Sequence, residues 1–197
     1  DINCKEKRHI LLAPSWNYSK KNLFDDYGIN LIENLLSNNF ILTFRPHPEH
    51  YKRSVNTMKK IDKLFSGKKN FFLDKNFSNL NSLEKAEILI TDNSAIVFEF
   101  MFIFKRPIIY VDYKEKNHNI NRDKISIDTI EDKFKKKFGN KIDIKNLENL
   151  ATLCENLINN NMISSQLVDS FVNEHLSNLD NSALFACNYL INKSKAN

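Results

Sequence analysis

Five short apolar runs constrain the fold of this chain more than any other feature. Residues 8–13 (RHILLA), 40–45 (FILTFR), 70–73 (NFFL), 87–91 (EILIT) and 107–111 (PIIYV) are apolar through most of their length and do not alternate with polar residues. A strand of that kind has no solvent face, so it belongs in a parallel sheet covered on both sides. The stretches between the runs carry apolar residues at helical spacing. Leu23, Tyr27, Leu31, Leu35 and Leu36 predict one helix, and Val55, Met58, Ile61, Leu64 and Phe65 predict a second. A short helix is expected from about 80 to 85 and another over 94–104. Alternating strands and helices give an α/β fold, a Rossmann-like parallel sheet of about five strands with helices on both faces. Beyond residue 114 the chain is polar to 126 and then helical over roughly 128–138, 145–159, 164–175 and 182–193, expected as a C-terminal helical layer. The 197 residues are read as one domain, with a βα sheet core at 1–113 and a mainly helical part at 127–193.

Composition removes several classes of function. The longest apolar run, 95–104, is far short of the roughly 18 residues of a membrane span and contains Glu99. Residues 1–16 show no signal-peptide pattern. Cys4, Cys154 and Cys187 are odd in number and far apart, which fits neither a disulfide framework nor a paired zinc motif. With only three glycines, Gly28, Gly67 and Gly139, neither common glycine-rich phosphate loop can be written. The net charge of +5 invites a nucleic-acid reading, but 24 of the 29 basic residues are lysine and they are scattered. The one dense cluster, KFKKKFGNK at 133–141, is read as a solvated helix face, and no nucleic-acid partner is expected.

In a parallel α/β sheet, ligands bind beyond the carboxyl ends of the strands. Four places qualify: the loop after Ala13, the loop after Arg45, the turn at 92–94 and the loop after Asp112. In Arg45-Pro46-His47-Pro48 the two prolines stiffen the support of His47. A stiff imidazole beside an arginine suits a general base or a donor to phosphate, while the plainer reading is a surface histidine after a proline-terminated strand. Thr91-Asp92-Asn93-Ser94-Ala95 ends a strand and opens a helix that Asn93 or Ser94 could cap. Such a helix start offers N–H groups to an anion, or is merely a capped crossover. Glu99 lies in a helix that is apolar on nearly every side. It is therefore expected to be buried, either reading ligand hydroxyls or pairing with Arg45 or Arg106. Ser15 and Trp16 follow the first strand and could flank a ligand. Asp112 is expected only to cap a turn and His9 to be structural; His50, His118 and His175 show no partners in the sequence. No HExxH or GxSxG occurs, and neither a metal nor a cofactor is expected.

Taken in order, ILLAPSW, RPHP, and ITDNSAIVFEF followed by KRPIIYVD resemble the CDP-glycerol glycerophosphotransferase family of bacterial teichoic-acid and capsule assembly. The resemblance spans about residues 9–113, with a weaker echo in IEDKFKKKFGNKIDIKNLENL and NSALFACNYL. It implies one half of a GT-B fold, in which two Rossmann-like domains face each other across a nucleotide-linked donor. This chain would be the C-terminal, donor-binding half, its partners being CDP-glycerol or a similar donor, a polymer or glycan acceptor, and an N-terminal GT-B half that no segment here matches. By the resemblance, Arg45 and His47 serve the donor phosphates and the transfer. Ser94 meets the pyrophosphate on the turn formed with Asp92, Asn93 and Ala95, and Glu99 lies by the donor's hydroxyls. The family often has an aromatic residue in place of Asn93 and Ser or Gly in place of Ala95, which leaves the donor open. Three functions follow: transfer of glycerol phosphate from a CDP-alcohol to a hydroxyl, a GT-B glycosyltransferase using a CMP- or UDP-sugar for capsule or lipopolysaccharide synthesis, and a non-catalytic nucleotide-binding module. The implied place is the cytoplasm, with peripheral attachment at the inner face of the membrane left open. The chain alone is expected to be incomplete and inactive.

Overall fold

The computed structural model describes residues 8–18, 22–78, 80–113, 119, 121, 124–160 and 163–195. The chain divides into two compact units, Asp1–Ile163 and Ser164–Asn197. Among the described residues of the first, six strands form one sheet: β1 (His9–Leu12), β2 (Ile41–Phe44), β3 (Phe71–Leu73), β4 (Ile88–Thr91), β5 (Ile108–Asp112) and β6 (Gly139–Asp143). Their order is β3-β2-β1-β4-β5-β6, and every neighbouring pair is parallel.

Prolines set the limits of the central strands. Ala13 still donates to Ile90 and Arg45 to Leu12, each at 2.9 Å, but the residues that follow, Pro14 and Pro46, have no N–H to continue the ladder. Alternate strand residues feed one core. Ile10, Leu12, Leu42, Phe44, Ile88, Ile90, Ile109 and Val111 pack with α1 (Leu23–Ser37), α3 (Val55–Phe65) and α7 (Leu150–Asn160). Leu23, Phe24, Ile32, Leu35 and Ile61 are fully buried there, each contributing about 1.5–3 kcal/mol relative to exposure. Elsewhere in the first unit α5 (Ile96–Glu99), continued by a π-turn over Phe100–Phe104, meets α6 (Ile130–Phe138) through a ring cluster. The Phe134 ring lies 5.0 Å from Phe98, 5.9 Å from Phe102 and 5.0 Å from Phe138.

The five expected strands are present, and three elements differ from the sequence reading. The cluster at 133–141 is not one helix face: α6 ends at Phe138, and Gly139 opens β6. β6 is an edge strand in which only Ile142 is buried, so it lacks the continuous apolar run that marks its neighbours. The loop after RPHP contains a helix, α2 (Pro48–Arg53), started by proline at its first position. The helix expected over 145–159 begins as a 3₁₀ turn, Ile144–Asn149, before α7. The short helix at 80–85 is α4 (Asn81–Lys85).

The second unit holds α8 (Ser165–His175), capped by the Ser164 hydroxyl, which accepts from Leu167 N at 3.4 Å, and α9 (Ser182–Lys195). On α9, Leu184, Phe185, Tyr189, Leu190 and Ile191 are exposed. Among the described residues no helix is long and apolar enough to cross a membrane.

Candidate functional site

From β1 the chain steps outward to β2 and β3, then returns to place β4 on the other side of β1. The connections therefore diverge between β1 and β4, and a crevice opens beyond their carboxyl ends at such a point. The loops after β1, β2 and β4 are neighbours along that edge, and they carry the residues singled out in the sequence.

A latch joins the loops after β1 and β4. The Thr91 hydroxyl donates to the Ala13 carbonyl at 2.7 Å. Asp92 accepts from Ser15 N at 2.7 Å through Oδ1 and from the Ser15 hydroxyl at 2.9 Å through Oδ2. Ser15 and Asp92 are both buried, and a buried carboxylate is tolerable when its oxygens are hydrogen-bonded in this way. Both residues stand at the expected edge, turned toward each other. Trp16 is buried beside them, its ring edge-on to His50 at 5.0 Å. Its Nε1 is buried without a hydrogen-bond partner among the described residues.

His50 shows no partner in the sequence but has several in the fold. It is fully buried on α2, and its Nε2 lies 3.3 Å from the Ser15 carbonyl, which can only accept. The ring proton is therefore assigned to Nε2. Nδ1 lies 3.4 Å from the Ser54 hydroxyl, which gives its own proton to Asp25 at 2.8 Å. The ring packs 4.2 Å from Phe24. Burial pushes the His50 pKa down to about 4, so the ring is neutral and joins α2 to the β1 loop. A proline opening a helix places the residue two positions later on its first turn; that was the available signal.

His47 is exposed at the N-cap of α2, between Pro46 and Pro48. Its Nδ1 accepts from Glu49 N at 3.2 Å. With Nδ1 occupied as an acceptor, a neutral ring carries its proton on Nε2. Arg45 is buried and turned to the other side of β2. It donates to the Ser82 hydroxyl at 2.9 Å and to the Phe77 carbonyl at 2.9 Å, and pairs with Asp74 at 3.4 Å. Its guanidinium also lies 5.9 Å from the centre of the Phe77 ring. This arginine fastens the segment between β3 and α4 to the end of β2.

The 92–95 turn lies at the opposite lip. Asn93 and Ser94 are half-buried and Ala95 is exposed. The expected side-chain cap is not made. Ala95 occupies the N-cap position of α5, and Val97 N reaches back to the Ser94 carbonyl at 3.4 Å. Asn93 instead accepts from Lys135 Nζ of α6 at 3.2 Å.

Glu99 requires a correction: it is exposed, not buried. Val97, Phe100 and Met101 face inward, while Ala95, Glu99 and Ile103, four residues apart, form the exposed stripe of the helix. Ile103 on that stripe made the helix look apolar all round. Neither proposed ion pair forms. Arg45 is engaged as described, and Arg106 donates to the carbonyls of Glu84 and Ala86 at 2.5 and 2.6 Å. His9 behaves as expected, its Nε2 lying 2.8 Å from the Thr43 hydroxyl. His118 lies outside the described residues. Among the described residues no three His, Cys, Asp or Glu side chains are grouped to hold a metal ion.

Comparison with known proteins gives a consistent picture. Residues 2–183 match the family model described as CDP-glycerol:poly(glycerophosphate) glycerophosphotransferase. The minor teichoic acid biosynthesis protein GgaB of Bacillus subtilis (strain 168) is 34% identical over 88 residues, 45% of this chain and 9% of GgaB. The solved structure of the wall teichoic acid polymerase TagF is similar with a TM-score of 0.57 and 21% identity, over 96% of this chain and 44% of TagF. A TagF variant soaked with CDPG is similar with a TM-score of 0.51 and 22% identity, over 86% of this chain and 36% of that one. The chain thus spans less than half the length of these relatives.

Proposed function

The chain belongs to the CDP-glycerol:poly(glycerophosphate) glycerophosphotransferase family, and on that premise we propose that it is the donor-binding domain of a transferase moving glycerol phosphate from a CDP-alcohol to a hydroxyl of a cell-surface polymer or glycan. The observation that carries this reading is the divergence of the chain connections between β1 and β4, the place where α/β sheets of this kind take ligands. The RPHP loop and the 92–95 turn lie there, on elements whose neighbours hold them in place.

In this reading the acceptor oxygen attacks the β-phosphorus of the donor. A new P–O bond forms to the acceptor, the bridging P–O bond breaks with its electrons going to CMP, and the acceptor's proton passes to a base on the acceptor side of the cleft. This chain's residues hold and stabilise phosphate charge. His47, with Nδ1 already accepting from Glu49 N, presents Nε2–H and serves as a donor to a phosphoryl oxygen. Ser94 and the backbone of its turn take the pyrophosphate, where a helix start favours anions. Glu99, exposed on the next turn, accepts from hydroxyls of the glycerol moiety. Arg45 acts indirectly, by fixing the loop that leads into His47.

The test is transfer by the complete enzyme. His47→Ala should lower turnover about 100-fold or more, with donor binding largely retained. Near-normal turnover of that variant on CDP-glycerol would remove His47 from the mechanism. A donor panel separates this reading from a glycosyltransferase, since only the latter would consume CMP- or UDP-sugars.

A further inference from the structure

We propose that His50 is a positioning residue that ties His47 to the loop after β1, and through it to the 92–95 turn, an inference that rests on the donor-domain reading. His47 is the N-cap of α2, a helix of six residues. A helix that short has little stability of its own and takes its place from what it packs on. Among the residues of α2, all of them described, His50 alone is buried. It lies three positions after His47, and the two rings are 6.5 Å apart and perpendicular.

A run of hydrogen bonds leads from the end of β4 to His47. Asp92 accepts from Ser15 N at 2.7 Å. The Ser15 carbonyl accepts from His50 Nε2 at 3.3 Å. His50 N in turn donates to the His47 carbonyl at 2.9 Å. At the other ring nitrogen, the Ser54 hydroxyl lies 3.4 Å from Nδ1 and donates to Asp25 of α1 at 2.8 Å. One imidazole thus connects the loop that carries His47 to the two loops joined by the latch, and to α1.

An apolar anchor would give α2 burial without direction. A buried imidazole costs desolvation, and its hydrogen bonds repay that cost by fixing an angle as well as a depth. The rings of Trp16 at 5.0 Å and Phe24 at 4.2 Å confine it further. Losing the bond to Ser15 would let α2 shift and carry His47 away from the phosphoryl group it serves. The Asn93–Ser94 turn, which belongs to a different part of the chain, would keep its own geometry. His50 therefore governs the transfer step more than the hold on the donor.

Transfer kinetics of the complete enzyme on CDP-glycerol test the proposal. His50→Gln can put an amide N–H where Nε2–H stands and reach the Ser15 carbonyl, whereas His50→Asn is too short to do so. His50→Asn should lower kcat roughly 10- to 100-fold with KM little changed, the scale of a small misplacement of a reacting group. His50→Gln should recover most of that loss. In a His47→Ala background His50→Asn should cost nothing further, because a residue that acts through His47 has nothing left to position. If His50→Asn does not fold, His50→Phe, which fills the space between Trp16 and Phe24 but offers no N–H, carries the same expectations. The same further loss in the His47→Ala background would mark His50 as structural only. That result, or a parental kcat in His50→Asn or His50→Phe, would overturn the proposal and leave the donor-domain reading standing. Near-normal turnover of His47→Ala alone, or a complete enzyme that leaves CDP-glycerol unconsumed, would overturn the reading on which the proposal rests, and the proposal with it.

Discussion

Lowering the pH should destabilise this protein through His50 before carboxylates enter the balance. His50 is fully buried, with its pKa reduced from 6.5 to about 4. Burial is the main cause. The neighbouring Asp25 and Asp92 oppose the shift, as does the bond to the Ser15 carbonyl, and His47 adds to it. Between those two pH values the unfolded chain binds a proton that the folded chain refuses, so stability falls as pH falls. The contribution is complete above pH 6.5 and lost by about pH 4. At about 1.4 kcal/mol per pH unit, the window is worth roughly 3 kcal/mol. His9, whose pKa is lowered by burial and by Lys85, pulls the same way. Urea unfolding at pH 7 and pH 4.5 should therefore show a drop of roughly 2–3 kcal/mol. In His50→Gln the pH dependence should shrink by most of that amount, on a protein already weaker at pH 7. Parallel pH profiles for the two proteins, or a His50 ring resonance titrating near 6.5, would refute the reasoning.

Other substitutions separate latch, clamp and ligand roles. Asp92→Asn places an amide NH₂ where Ser15 needs an acceptor, and should cost about 1.5–3 kcal/mol in chemical unfolding; a loss under about 0.5 kcal/mol would dissolve the latch. Arg45→Met leaves Asp74 and the Phe77 carbonyl without their partner and should cost about 3–5 kcal/mol. A stable Arg45→Met protein that has lost donor binding would instead return Arg45 to the phosphates. Glu99→Gln, on an exposed stripe, should change stability by less than about 0.5 kcal/mol and weaken CDP-glycerol but not CDP. Equal weakening of both would remove Glu99 from the glycerol subsite.

The sheet was legible because burial on both faces writes a continuous apolar run in β1, β2, β4 and β5, and β3 carries a short one although Phe72 is exposed at the sheet edge. β6 does not, since an edge strand with one buried residue, Ile142, leaves no such mark among lysines. The turn and loop motifs stand at the carboxyl ends of the strands, where the strand-end rule placed them. What the sequence could not supply was direction. Arg45 adjoins His47 in the chain, yet its side chain crosses to α4. Glu99 sits among apolar neighbours, yet faces outward because one of them, Ile103, is exposed as well. Lys135, 42 residues from Asn93, is brought to it only by the packing of α6 on α5 and β5. Such choices depend on which neighbour occupies each face, which a one-dimensional pattern does not record.

The central claim is that the carboxyl edge between β1 and β4 receives a nucleotide-linked donor. Chemical-shift titration of the 197-residue chain with cytidine, CMP, CDP and the matching uridine series tests it most directly. The dissociation constant for CDP should be roughly 0.1–1 mM, weak because one wall of a cleft buries little ligand surface. Affinity should rise from cytidine to CMP to CDP, with shifts concentrated at residues 47 and 93–95. A folded sample showing no shifts at several millimolar nucleotide, or shifts confined to residues away from that edge, would contradict it.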